Sequence, residues 1–107
     1  MNKTHTTIEQ YIIEAVRKRR EKLEINPTKL ALEIGLVNDF VRKTEAYTLG
    51  YKYNSNHLTE LAKILECSIS DFYPPKYVEE NCIEEYHEIR ERRRQELEKS
   101  KKQGKTE

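Results

Sequence analysis

Little in this chain could build an elaborate ligand site. It has three glycines, one methionine and no tryptophan, too few of the residues that make glycine-rich phosphate loops or large apolar pockets. Its two cysteines, Cys67 and Cys82, cannot form the disulfide framework of a small secreted domain and fit a reducing cytosol. No apolar run approaches the length that spans a bilayer. The first residues, MNKTHTTIEQ, lack the apolar stretch of a secretion signal. The expectation is a soluble, cytoplasmic protein without membrane contact. Charge of one sign is also missing, since 20 Lys and Arg face 19 Asp and Glu. Such balance limits affinity for a polyanion without excluding a few placed cations.

What is present is helical pattern. Apolar and charged residues each make up 36% of 107 residues, which leaves room for one small domain with a modest core, and a tail. Thr6-Thr7-Ile8-Glu9-Gln10 offers two overlapping capping boxes, Thr6 with Glu9 or Thr7 with Gln10. They predict a first helix over about residues 8–23, with Ile12, Ile13, Val16 and Leu23 inward and Arg17, Lys18, Arg20 and Lys22 outward. Asn54 caps a further helix through Leu65, in which Leu58, Leu61, Ala62 and Leu65 recur at helical spacing. Ser68 with Asp71 is another capping box, opening a short helix that buries Ile69 and Phe72. Pro74-Pro75 ends it, because proline lacks a donor and restricts the residue before it.

The most informative segment is INPTKLALEIGLVNDFVRKTE, residues 25–45. Asn26 is a good N-cap, and Pro27 suits a first helical position that can spare its N–H. Leu30, Ala31 and Ile34 form an apolar face until Gly35 stops the helix. Leu36 and Val41 then restart an apolar face, while Asn38, Asp39, Arg42 and Lys43 point the other way. Two short helices joined by a tight turn, the second showing amide and cationic side chains to solvent, suit insertion into a DNA major groove.

The side chains on that second helix decide what could be read. Arg favours guanine edges, Asn favours adenine, and Lys takes guanine or phosphate. Asn38, Arg42 and Lys43 are therefore the principal candidates. Asp39 could accept from a cytosine amine or serve the helix N-terminus instead. Phe40 could touch a thymine methyl, but the preferred alternative is that it folds against the tyrosine-rich loop AYTLGYKY. In that loop Lys52, flanked by Tyr51 and Tyr53, could reach phosphate, or the tyrosines could simply pack their rings. Thr28 in the preceding helix completes the set of expected DNA contacts. Cys67, Cys82, His57 and His87 lack the closely spaced Cys pair of a zinc site. No nucleophile sits beside a base at a recognisable spacing. The expectation is no metal, no cofactor and no enzyme.

Several motifs together, VRKRREK in the first helix, TKLALEIGL across the next two, Glu45 closing the third and LAKILECSISDFY at the end, resemble the lambda-repressor/Cro-type (XRE) helix–turn–helix family. The resemblance covers residues 12–73. It implies an all-α, five-helix bundle that binds operator DNA as a dimer, with Arg20 paired to Glu45. Pro27 replaces the family's usual Gln, Val37 replaces the usual Ser or Thr cap, and Arg19 and Thr44 occupy usually aliphatic places. Val37 cannot accept an N–H bond, so the helix should start one residue later, capped by Asn38.

Two domains are expected: residues 1–76 as the DNA-binding domain and residues 77–107 as a charged tail, helical from Val78 to about Lys102, with the last residues, KSKKQGKTE, disordered. Val78, Cys82, Tyr86 and Ile89 form a short apolar seam on the tail. It should pack against a second subunit, the preferred reading, or back onto the bundle. The functional expectation is a sequence-specific transcriptional regulator that binds double-stranded DNA as a homodimer. The alternative is an antitoxin-like module that binds another protein through the same scaffold.

Overall fold

The computed structural model describes residues 3–47 and 49–104. Among them the chain is all-α, with no strand. The elements are α1 (Thr7–Lys22), α2 (Pro27–Glu33), α3 (Phe40–Glu45), α4 (Ser55–Ile64), a 3₁₀ turn (Ile69–Phe72) and α5 (Cys82–Gly104). Local chemistry sets most boundaries. Thr6 and Glu9 form the capping box of α1. Asn26 accepts the Lys29 N–H at α2, Asn54 that of His57 at α4, and Ser68 pairs with Asp71 at the 3₁₀ turn. Gly35 leaves α2 at φ 82°, a conformation costly for any residue with a Cβ.

The core is one cluster. Ile13 and Val16 of α1, Leu30 and Ala31 of α2, and Val41 of α3 are fully enclosed, and Leu61, Leu65 and Phe72 close the far side. Ile69 departs from expectation: it is 38% exposed. The four-residue turn inserts Phe72 and leaves Ile69 at its mouth. Arg19 and Thr44, polar residues at apolar places, each find a carbonyl. Arg19 Nε donates to Leu65 O at 2.8 Å and its Nη2 to Glu66 O at 3.0 Å, which satisfies acceptors that the end of α4 leaves open. Thr44 is fully buried and donates to Phe40 O at 2.8 Å.

Arg20 ties three segments together. Its Nε and Nη2 donate to the two Glu45 carboxylate oxygens at 2.8 and 2.7 Å, and its Nη1 to Ile25 O at 2.9 Å. Both side chains are only 10% exposed, and the planar fork meets the carboxylate in two parallel bonds.

The tail helix is fastened to the start of the chain. Asn81 accepts the N–H groups of Ile83 and Glu84, so α5 begins at Cys82 and not at Val78. The helix lies on the N-terminus of α1. Glu85 accepts from Thr7 N at 2.9 Å and Thr7 Oγ1 at 2.7 Å and pairs with Lys3, while Arg92 donates to the Lys3 carbonyl. A carboxylate at the first turn of α1 is also favoured by the helix dipole. Of the expected seam, Ile89 is buried and Cys82 half-buried, but Tyr86 is 40% exposed. The helix runs on to Gly104, past Lys99 where disorder was expected to begin; residues 105–107 lie outside the described ones. No helix among the described residues is long and apolar enough to cross a membrane.

Two outcomes follow. Replacing Arg20 or Glu45 by Ala leaves the other charge buried, and each should cost about 3 kcal/mol. The double variant should lose clearly less than the sum in urea melts, since one interaction is removed twice. At Glu85, burial pushes the carboxyl pKa up, but Lys3 and the two Thr7 donors outweigh it and hold the pKa at about 2. A depressed folded-state pKa stabilises above the unfolded value and is lost as pH falls through the folded one. The attachment of α5 should therefore weaken between pH 4.5 and about 2, and Glu85→Gln should remove that dependence. Amide exchange along α5 measured against pH checks this.

Candidate nucleic-acid interface

Position on α3 decides which side chains a duplex could meet. Val41 and Thr44 point into the core with no exposure, so Arg42 and Lys43 stand on the outer side with Asn38 and Asp39 before them. The helix starts at Phe40, later than expected, with Asp39 at the cap position making no side-chain cap bond. The Phe40 N–H bonds instead to Val37 O at 3.1 Å. The predicted cap by Asn38 is therefore not formed, and Asn38 is exposed in the turn.

The Asp39 carboxylate is 2.9 Å from Lys43 Nζ and 3.9 Å from Arg42 Nη2. The Lys43 ammonium holds the Asp39 carboxyl below the usual carboxylate range, and the same contact raises Lys43. Lys43 also sits 5.9 Å from the centroid of the Tyr51 ring. It is thus engaged on its own helix, whereas the Arg42 side chain is 64% exposed. Arg42 faces an open groove of about 610 Å³ whose opposite wall is the start of α2, with Pro27, Thr28, Lys29 and Leu32. Thr28 and Arg42 therefore line one groove. Lys29 joins them, and sequence reasoning passed over it. Its place one residue beyond Thr28 in the first turn of α2 was the available signal.

Two of the expected contacts are placed elsewhere. Phe40 packs within the domain, its ring centroid 5.5 Å from Tyr51, 6.1 Å from Tyr53 and 5.1 Å from His57. The fold offers it an aromatic wall, and the half-buried ring takes the packed place that was the preferred alternative. Lys52 is 2.7 Å from Glu9 and 5.5 Å from the Tyr86 ring centroid, bridging α1 and α5 rather than standing beside α3. The other loop tyrosines are also structural. Tyr47 donates to Glu14 Oε1 at 2.5 Å, and burial, then that carboxylate, pushes its phenol up. His5 and Thr4 fasten the same loop through the carbonyls of Tyr51 and Tyr47.

No protein-family model matches the chain, and no curated protein is significantly similar to it. Solved structures do share its fold. Hydroxypropylphosphonic acid epoxidase from S. wedmorenis is 24% identical with a TM-score of 0.58, over 71% of this chain and 39% of that one. Its complex with fosfomycin is similar at 24% identity and a TM-score of 0.57, over 70% and 39%. A cobalt(II) form of HppE in complex with substrate gives 24% and 0.57, over 70% and 41%. The chain thus spans about two fifths of the proteins it resembles, and likeness at this identity shows the fold alone. The expectation that sets an enzyme aside is corrected by this finding. The fold occurs within an epoxidase chain, so the lack of a recognisable nucleophile and base in this sequence does not exclude one.

The aromatic wall behind α3 has a measurable weight. Phe40→Ala should destabilise the chain by about 2 kcal/mol, below the usual cost for a fully enclosed phenylalanine because this one is half-buried. Urea melts read the loss, and ring-current shifts of Tyr51 and His57 should collapse in the variant's NMR spectrum.

Proposed function

We propose that the chain is a DNA-binding transcriptional regulator of the helix–turn–helix kind, working in the cytoplasm, with α3 entering the major groove. The observation that supports this reading is the open groove in which Arg42 of α3 stands opposite Thr28 and Lys29 at the start of α2, with Asn38 exposed in the turn before α3. In that arrangement Arg42 and Asn38 meet base edges, and Thr28 and Lys29 hold the flanking phosphates. The resemblance of residues 12–73 to lambda-repressor/Cro-type domains supports it independently. One module of this size buries little DNA surface, so two copies are required for operator-level affinity.

A second reading is favoured by Asp39. It neutralises Lys43 and draws on Arg42, while Leu32 and Val37 beside them are 58% and 67% exposed. A face with few free cations and two apolar side chains also suits a protein partner.

A mobility-shift series over increasing salt on DNA selected from a random pool separates the two. The first reading expects binding that falls steeply with salt; no binding to any duplex at low salt supports the second. Arg42→Ala should weaken selected DNA by about 1–3 kcal/mol and relax one or two base positions. Asp39→Asn, which releases Lys43, should strengthen binding on the order of threefold and steepen the salt dependence. If both variants bind like the parent, α3 is not the reader.

A further inference from the structure

A cleft of about 410 Å³ lies where α5 crosses the loop before α4 and the start of α1, lined among others by Glu9, Gly50, Lys52, Tyr86, Arg90 and Arg93. Its volume falls in the range of small-molecule sites. We propose that it binds a small organic phosphate, with Arg90 and Arg93 holding the phosphate and Tyr86 flanking the organic part.

The pairing of the arginines along α5 supports this. Arg92 has Glu96 within 3.9 Å and the Lys3 carbonyl, and Arg94 is paired with Glu91 and Glu98. Arg90 and Arg93, the two that line the cleft, have no carboxylate within salt-bridge distance among the described residues. Two guanidinium groups lining one cleft without a carboxylate partner are matched to a phosphate, whose oxygens can take paired N–H donors. Gly50 is what lets one of them in. A Cβ on Gly50 would lie 1.7 Å from Arg93 Nη2, so the guanidinium rests directly on the loop backbone. Glu9, the one carboxylate in the wall among the described residues, is already held by Lys52 at 2.7 Å and by the Thr6 N–H at 2.9 Å. It therefore opposes an incoming anion less than a free carboxylate would. Tyr86 is 40% exposed, and the part of its ring that Lys52 does not face can pack against an aromatic or sugar group. This site is separate from the α3 face and does not depend on what that face binds.

The test is an NMR titration of the full chain with phenyl phosphate at constant ionic strength, with inorganic phosphate and a DNA duplex as comparisons. Saturable shifts of the Gly50 and Lys52 amides and of the Arg93 Nε–H are expected. Binding should weaken about tenfold in Arg90→Gln and in Arg93→Gln and stay unchanged in Arg94→Gln, whose partners lie outside the cleft. Inorganic phosphate should bind more weakly, because it leaves Tyr86 uncovered. The proposal is overturned if phenyl phosphate produces no saturable shift in the millimolar range, or if the two arginine variants bind like the parent. It is equally overturned if inorganic phosphate binds as well as phenyl phosphate, or if only the duplex moves these resonances, which would make the cleft a seat for backbone phosphate.

Discussion

Arg20 and Glu45 sit where α1, the segment before α2 and the end of α3 meet. A buried ion pair contributes little net stability, since desolvation offsets most of the attraction, but it tolerates very few geometries. Here the fork on α1 grips the last residue of α3 and, through the Ile25 carbonyl, the chain entering α2. The six-residue α3 is too short to hold its own direction by propensity. Its orientation comes from this clamp at one end and from the Phe40 ring against Tyr51, Tyr53 and His57 at the other. Between the two, Val41 and Thr44 leave only one outward edge.

Much of this frame was legible in the residues, because capping is local chemistry. Thr6, Asn26, Asn54 and Ser68 each cap the helix assigned to them, and Gly35 takes the left-handed turn expected of it. The Arg20–Glu45 pair came from family resemblance, which spacing alone could not supply. The misreadings share a cause: they concern polar side chains whose partners are distant in sequence. Lys52 finds Glu9 across 43 positions. The inward-facing residue of α5 between Cys82 and Ile89 is Glu85, not Tyr86, and a carboxylate turned inward leaves no trace in a hydrophobic period. The late start of α3 is local, yet it depended on whether Asp39 would cap or pair with Lys43. It pairs.

The likeness to the epoxidase structures adds the fold and no more. It places a bundle of this kind inside a longer chain whose name is that of an epoxidase. A helical scaffold of this size carries its specificity on a few outward side chains. Which neighbours those side chains already have is the informative quantity. Asp39 restrains the cations of α3, while Arg90 and Arg93 on α5 stand without carboxylate partners among the described residues.

The manner in which α5 is attached makes it a lever. Its grip on the body is confined to the stretch from Glu85 to Arg92, roughly 10 Å of helix, plus the Arg93 guanidinium on Gly50. From Arg94 to Lys101 every residue is exposed, and the helix continues about 18 Å beyond Arg92 to Gly104. A 1 Å tilt across so short a fulcrum displaces the far end by about two to three times as much. Rearrangements at the α1 N-terminus too small to alter the core would thus be amplified into motions of the distal turns, to whose helix the exposed Arg94–Glu98 pair adds modest support.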